Sequence, residues 1–154
     1  MSQTTEHNAA ACRASRHTRV QHLITADESS LAELEALLAT LPICSTGRVF
    51  VEIPDASWHA DLVAPARMVV TWLDRSQRTG DPGTGRACAP GQALTRAVTA
   101  WANEMLCADD DHTRIHLLGG YLGTADIVDH LTERLGIDAQ SIHAPAEYNL
   151  STAR

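Results

Sequence analysis

Arg75, Arg78 and Arg86 stand close together in a chain with 12 basic residues, 19 acidic residues and a formal net charge of −7. Three guanidiniums near one end of an apolar run could grip the phosphate of an adenosine ribose, because the planar fork meets two oxygens at once. Equally, they could be the solvated charges of a loop. Asp74, beside Arg75, could neutralise part of the set, which would favour a ligand without a 2′-phosphate. A second candidate is Asp27-Glu28-Ser29-Ser30. A helix opening there would offer unpaired N–H groups and a positive dipole end to an anion. Yet two carboxylates stand where a phosphate would go, and they could simply favour the dipole themselves. No G-x-G-x-x-G run accompanies them. The third candidate, Gly119-Gly120-Tyr121-Leu122-Gly123, is a glycine junction that either admits a ligand close to the backbone or only makes a tight turn.

The remaining chemistry-bearing residues say less. His112 and His116 are assigned to a turn and a strand, so they share no helical face and do not read as metal ligands. Glu52 and His143 could face a cleft, but each reads more simply as packed or solvated. Trp72, at a strand end, reads as core. No Ser-His-Asp or Cys-His set can be named.

The elements that must position these residues follow from periodicity. Val20, His22, Leu23 and Ile24 form a short, mostly apolar first strand, closed by a turn over Thr25–Ser29. Leu31, Leu34, Leu37, Leu38 and Leu41 have helical spacing, Ser30 and Glu33 fit a capping box, and Pro42 stops the helix. Val49–Ile53 and Met68–Leu73 are rich in β-branched and aromatic residues and make the second and third strands. A Gly- and Pro-rich loop covers 76–91, the kind of long irregular segment that is usually functional or mobile. Leu94, Ala97, Val98, Trp101 and Met105 form a helical stripe, and Asp109-Asp110-Asp111 makes a solvated turn. Ile115–Leu118 is a fourth strand. A third helix carries Ile127, Val128, Leu131 and Leu135, with Gly136 as its left-handed cap, and Ser141–Ala144 is a last short strand. The order β-α-β-β-α-β-α-β predicts an α/β domain: a three-layer, Rossmann-like, open and mainly parallel five-stranded sheet with helices on both faces. Residues 1–18 are polar and aperiodic and are expected to be a flexible arm. Residues 19–150 are expected to form the domain.

Composition excludes some classes of partner. The acidic balance argues against nucleic acid and against an anionic membrane surface, both of which call for basic residues. No run approaches the length of a membrane-spanning helix, and the N-terminus has no secretory h-region. Cys12, Cys44, Cys88 and Cys107 lie in no metal-binding spacing. Free thiols in a reducing cytoplasm are therefore expected.

Three short segments together resemble the C-terminal domain of siderophore-interacting proteins, the ferric-siderophore reductases related to ferredoxin–NADP reductase. That family's first-strand motif, roughly A-G-D-E-T-A-L-P, stands here as Thr25-Ala26-Asp27-Glu28-Ser29-Ser30-Leu31-Ala32. Its V-E-V strand corresponds to Val51-Glu52-Ile53, and its W-L-x-R to Trp72-Leu73-Asp74-Arg75. Order and spacing agree from about Arg19 to Tyr148. The family's later W-x-A-G-E appears as His116-Leu117-Leu118-Gly119-Gly120, without the Trp or Glu, and its closing G-Y-W as Ala146-Glu147-Tyr148. The resemblance implies a nicotinamide-nucleotide-binding fold, with NADPH or NADH as cofactor, Ser29 near the nicotinamide and Arg75 near the adenosine phosphate. The cofactor-binding set expected on these grounds is Asp27, Glu28, Ser29, Ser30, Arg75, Arg78, Gly119 and Gly120.

Full-length members of that family place a flavin-binding barrel before this domain, and residues 1–18 are too few for one. The first expectation is therefore a stand-alone NAD(P)H-binding component without an FAD domain, paired with a separate flavoprotein and not competent alone to reduce a ferric siderophore. The second is a degenerate domain that serves as an interaction or regulatory module, for which a homodimer or another protein partner would be expected. The third is a domain that binds a ferric siderophore or another small anion through Arg75, Arg78 and Arg86.

Overall fold

The structure is a computed structural model and describes residues 20–107 and 113–150. Among them, β1 (Gln21–Asp27), β2 (Thr46–Ile53), β3 (Arg67–Asp74), β4 (Thr113–Leu117) and β5 (Ile142–His143) form one sheet in the order β3-β2-β1-β4-β5. Every pairing is parallel. The helices are α1 (Leu31–Thr40), α2 (Gln92–Met105) and α3 (Tyr121–Asp129), the last prolonged by a π-helical turn over His130–Arg134. The architecture is thus the expected open α/β sheet, parallel throughout.

Strand alternation divides the core into two. Leu23, Phe50, Leu73, Ile115, Leu117 and Ile142 face α2 and α3 and pack with Leu94, Val98, Ile127 and Leu131. Ile24, Ala26, Val49, Val51, Ile53 and Met68 face the other way and pack with Leu34 and Leu38 of α1. Period-two side chains on a sheet buried on both faces require apolar residues at successive positions, which is why these strands read as nearly continuous apolar runs. No α-helix links β2 to β3. A single 3₁₀ turn over Ala56–Trp58 does so, held by the Asp55 carboxylate on the Ser57 N–H, and the partly buried Leu62 and Ala64 cover the α1 face in place of a helix.

Several boundaries depart from the sequence reading. β1 does not turn at Thr25 but continues to Asp27, because it is the central strand: β2 holds it as far as Asp27 and β4 as far as Thr25. The capping box at Ser30 does not form. The Ser30 hydroxyl instead turns back and accepts from the Asp27 N–H at 3.0 Å, and makes no cap bond to α1. β4 begins at Thr113 and ends at Leu117, and β5 shrinks to Ile142 and His143. Gly136 adopts the left-handed conformation expected of it (φ 67°). The arm over 1–18, the Asp109–Asp111 turn and His112 lie outside the described residues.

Candidate functional site

The strand order sets the site. From β1 the chain moves outward through β2 to β3, then crosses back to β4 on the other side of β1 and outward again to β5. Neighbouring crossovers therefore leave the sheet on opposite sides between β1 and β4, and a crevice opens outside their carboxyl ends. A cleft of about 190 Å³ lies there, lined by Asp27, Glu52, Pro90, Gly91, Leu94 and Gly120–Gly123. The N-termini of α2 and α3 meet in its wall. A Cβ added at Gly91 would lie 3.1 Å from the Gly123 backbone, so only glycines permit this approach. Tyr121 and Leu122, 51% and 72% exposed, form an apolar lip.

Both helix N-termini are already supplied with negative charge from within the chain. The Gly120 N–H donates to Asp27 Oδ2 at 2.6 Å, while Asp27 Oδ1 accepts from the Ser29 N–H at 2.9 Å and from its hydroxyl at 2.6 Å. Glu52, 1% exposed, accepts from the Gly91 N–H at 2.7 Å on one oxygen and from the Leu94 N–H at 2.8 Å on the other. An ionised carboxylate is tolerated at such a depth only when paired and hydrogen-bonded. Its partner is Arg75, whose Nη1 lies 2.9 Å from Glu52 Oε1. The same guanidinium forks onto Glu28, with Nη2–Oε1 at 2.7 Å and Nη1–Oε2 at 3.2 Å. The hydrogen bonds from Arg75 hold the Glu28 carboxyl below its usual range. The reciprocal bond from Glu28, ahead of that from Glu52, keeps Arg75 protonated more firmly than usual.

Asp27 and Gly120 thus line the cleft. Glu28 and Arg75 pair beside it, joined to it through Glu52. Ser29 is exposed and bound to Asp27. Ser30 is buried and bound within the turn. Gly119 is buried against Leu94, and its carbonyl accepts from the hydroxyls of Thr124 and Tyr148. Burial, followed by the charge of Asp27, raises the Tyr148 phenol above its ordinary value.

The three arginines do not converge. Arg78 and Arg86 are exposed and line a separate open cleft of about 690 Å³ in the 76–87 loop. Asp74 does not neutralise Arg75 either, since its carboxylate accepts from the Ser76 N–H and hydroxyl. Trp72 is half-buried against the α1 core, with the His59 ring stacked on it at 4.9 Å. The central residue is Glu52, which the sequence marks as able to face a cleft but reads more simply as packed or solvated and leaves out of the cofactor-binding set. Its signal was a lone carboxylate inside the apolar run Val49–Ile53, where burial on both faces admits a charge only with a partner.

An open parallel sheet with helices on both faces and a cleft at its switch point places the molecule among the doubly wound, Rossmann-like α/β folds. Within that class, residues 20–146 match the family described as siderophore-interacting protein, and the chain belongs to that family. It is 31% identical over 61 residues to ferric vibriobactin reductase ViuB of Vibrio cholerae, found in two strains; the match covers 40% of this chain and 22% of ViuB. Among solved structures, the siderophore-interacting protein SipS from Aeromonas hydrophila superposes with a TM-score of 0.61 at 17% identity, over 82% of this chain and 44% of SipS. A siderophore utilization protein from T. fusca superposes with a TM-score of 0.55 at 23% identity, over 78% of this chain and 41% of that one. These likenesses are of fold. The chain spans less than half the length of either solved relative. No helix among the described residues is long and apolar enough to cross a membrane.

Proposed function

We propose that this chain supplies the reduced-nicotinamide-binding part of a ferric-siderophore reductase and works with a separate flavoprotein in the cytoplasm. The observation that carries the reading is the cleft at the β1/β4 switch point, bounded by Pro90, Leu94, Tyr121 and Leu122, in a chain of the siderophore-interacting family. A flat, uncharged ring fits such walls. A diphosphate does not fit at the helix N-termini, because Asp27 holds the Gly120 N–H and Glu52 holds those of Gly91 and Leu94. Arg78 and Arg86, both exposed in the neighbouring loop, would take the phosphates instead. The nicotinamide would supply a hydride, and a flavin is needed to divide it into the single electrons that Fe(III) accepts. The chain's own part is to bind, orient and shield the ring.

A second reading rests on the same carboxylates. Three acids and one arginine leave a formal charge of −2 at the strand ends, where this fold class ordinarily welcomes an anion. A chain that has filled its own anion site could serve as an interaction module instead, since fold does not fix function.

Calorimetric titration with NADPH, NADH and FAD at low salt separates the two. Micromolar binding of a nicotinamide nucleotide, weakened by Arg78→Ala or Arg86→Ala, supports the reductase component. No heat and no thermal shift with any of them, in a chain that self-associates or holds a protein partner, supports the interaction module.

A further inference from the structure

The two edges of the sheet are not alike. β5 is two residues long and offers little ladder to a partner. β3, the other edge, runs for eight residues and matches β2 position for position without a bulge. Between Arg67 and Asp74 it carries Met68-Val69-Val70-Thr71-Trp72-Leu73, with none of the charge or proline that ordinarily blunts an edge. The Thr46 N–H bonds the Val20 carbonyl, so Thr46 faces β1, and Arg67 opposite it turns its own N–H and C=O toward β2. Alternation then turns those of Met68, Val70 and Trp72 away from the sheet. The Pro65 carbonyl takes the Met68 N–H at 2.9 Å, but among the described residues no backbone bond reaches those outward groups of Val70 and Trp72. Val69 on the strand, and Trp58 and Val63 on the connection before it, are large apolar side chains left in water.

We infer that β3 is a dimer interface: a second copy of this chain lays its own β3 antiparallel along it, Val70 against Val70 across a twofold axis, and the two sheets become one. A twofold normal to the sheet keeps like faces on the same side, so Val69 meets Thr71 of the other copy, Met68 meets Trp72, and Arg67 meets Leu73 with Asp74 beside it. Apolar side chains thus face one another on the α1 side, and the basic start of each strand lies next to the acidic end of the other. A shift that put Thr71 on the axis would instead set Met68 against Asp74 and Arg67 against Arg75. The Val70 pair exchanges N–H and C=O, and each Trp72 N–H reaches the other copy's Met68 carbonyl, so the bond from Met68 to Pro65 stays whole. Because β5 is too short to extend the array, the assembly closes at two copies. The cleft at the β1/β4 switch point lies two strands inward from this edge, so the dimer depends on neither functional reading.

Sedimentation equilibrium of the full chain over a wide range of concentration tests the interface, and a reversible dimer is expected. Val69→Lys puts a charge on a half-exposed position of the edge and should weaken association at least about tenfold, with circular dichroism confirming that the variant folds. Should it fold poorly, Val70→Cys reads the pairing directly. It is made with Cys12→Ser and Cys107→Ser, so that the buried Cys44 and Cys88 are the other thiols. Position 70 lies about 5.5 Å from its twin across the axis, within disulfide reach, and mild oxidation should link the two copies. Val69→Cys in the same background faces Thr71 and should link far less. A wild type that is monomeric at every concentration overturns the inference, even if it binds a flavoprotein or a nucleotide. So does a dimer that Val69→Lys leaves intact, or a link that forms with Val69→Cys and not with Val70→Cys. A dimer lost in Val69→Lys upholds it, whether or not NADPH binds.

Discussion

Glu52 and Arg75 are separated by 23 positions in the chain and meet at 2.9 Å where β2 and β3 end. Through that contact and its two backbone bonds, Glu52 ties the edge strand β3 to the first turn of α2. Asp27 does the same for β1 and α3 through Gly120. The residues that make the family resemblance visible in sequence, Asp27-Glu28, Glu52 and Arg75, are therefore joined or adjacent in one charged seam along the carboxyl end of the sheet.

Because Glu52 is buried and triply bound, its loss should be severe. Glu52→Ala is expected to cost about 2–4 kcal/mol, because the Gly91 and Leu94 N–H groups lose their acceptor and Arg75 keeps only Glu28 of its two carboxylates. Glu52→Gln should cost less, because one amide oxygen can still accept while the amide nitrogen faces donors it cannot serve. Urea unfolding followed by tryptophan fluorescence measures both. A loss below about 1 kcal/mol in Glu52→Ala would mean that the seam does not hold the sheet end.

Asp27 takes the Gly120 N–H on Oδ2, and on Oδ1 the N–H and hydroxyl of Ser29, with the Ser30 hydroxyl at 3.4 Å. Asp27→Asn keeps a single good acceptor, so the partners of the other oxygen go unserved, at a cost of about 1–2 kcal/mol. Native-state hydrogen exchange at the Gly120 and Ser29 amides shows which. Faster exchange confined to one of them is the expected result, and unchanged protection at both would contradict the assigned bonds.

Much of the fold was legible because burial on both faces of a parallel sheet writes itself as continuous apolar runs, and α1 as leucines at helical spacing. The end of β1 was not. Thr25 is fully buried by ladder bonds on both sides, a tertiary fact that the turn-like composition of Thr25–Ser29 hides. Ser30 and Glu33 matched a capping pattern, but a hydroxyl has more than one backbone partner within reach, and the Asp27 N–H took it. At the site, the segments around Asp27, Arg75 and Gly120 could be located from the fold rule alone. That Arg75 turns inward to Glu52 while Arg78 and Arg86 face solvent depends on a partner 23 positions upstream, which local sequence does not express.

Gly91 and Gly123 make a sharper test of packing. A methyl group at Gly91 would meet the Gly123 backbone at 3.1 Å, on a residue already at φ 86°. Gly91→Ala should therefore cost about 1–3 kcal/mol and splay the two helix N-termini. Gly83 also has positive φ, at 79°, but a Cβ there meets nothing within 4 Å. Gly83→Ala should lose only the backbone preference, about 1 kcal/mol. Paired urea titrations rank the two, and equal losses would show that the close approach of the helices carries no energy.

His22, His116 and His143 stack across β1, β4 and β5, with ring centroids 6.3 Å and 4.8 Å apart. Burial pushes His116 down to about 4, and His143, His22 and Arg114 add to the depression by repelling a proton. Burial, followed by Arg114, also lowers His22, whose two ring nitrogens have no hydrogen-bond partner among the described residues. In the unfolded chain both imidazoles titrate near the ordinary value of about 6.5. Above that pH neither state binds the proton, and the histidines cost nothing. As the pH falls below about 6.5 the unfolded chain takes up protons that the folded chain refuses, so stability declines until His116 itself titrates near 4. With allowance for the partial exposure of His116, the loss by pH 5 should be about 1–2 kcal/mol, or several degrees in Tm. Thermal melts at pH 7.5 and pH 5 read it directly, and His116→Leu should narrow the gap between them. Glu28 loses its charge only at lower pH, because Arg75 holds its carboxyl below the usual range, so the two effects separate. A wild-type Tm that is level from pH 7.5 to 5 would mean that these rings take up protons as freely in the folded chain as in the unfolded one, and that the stack is open to water.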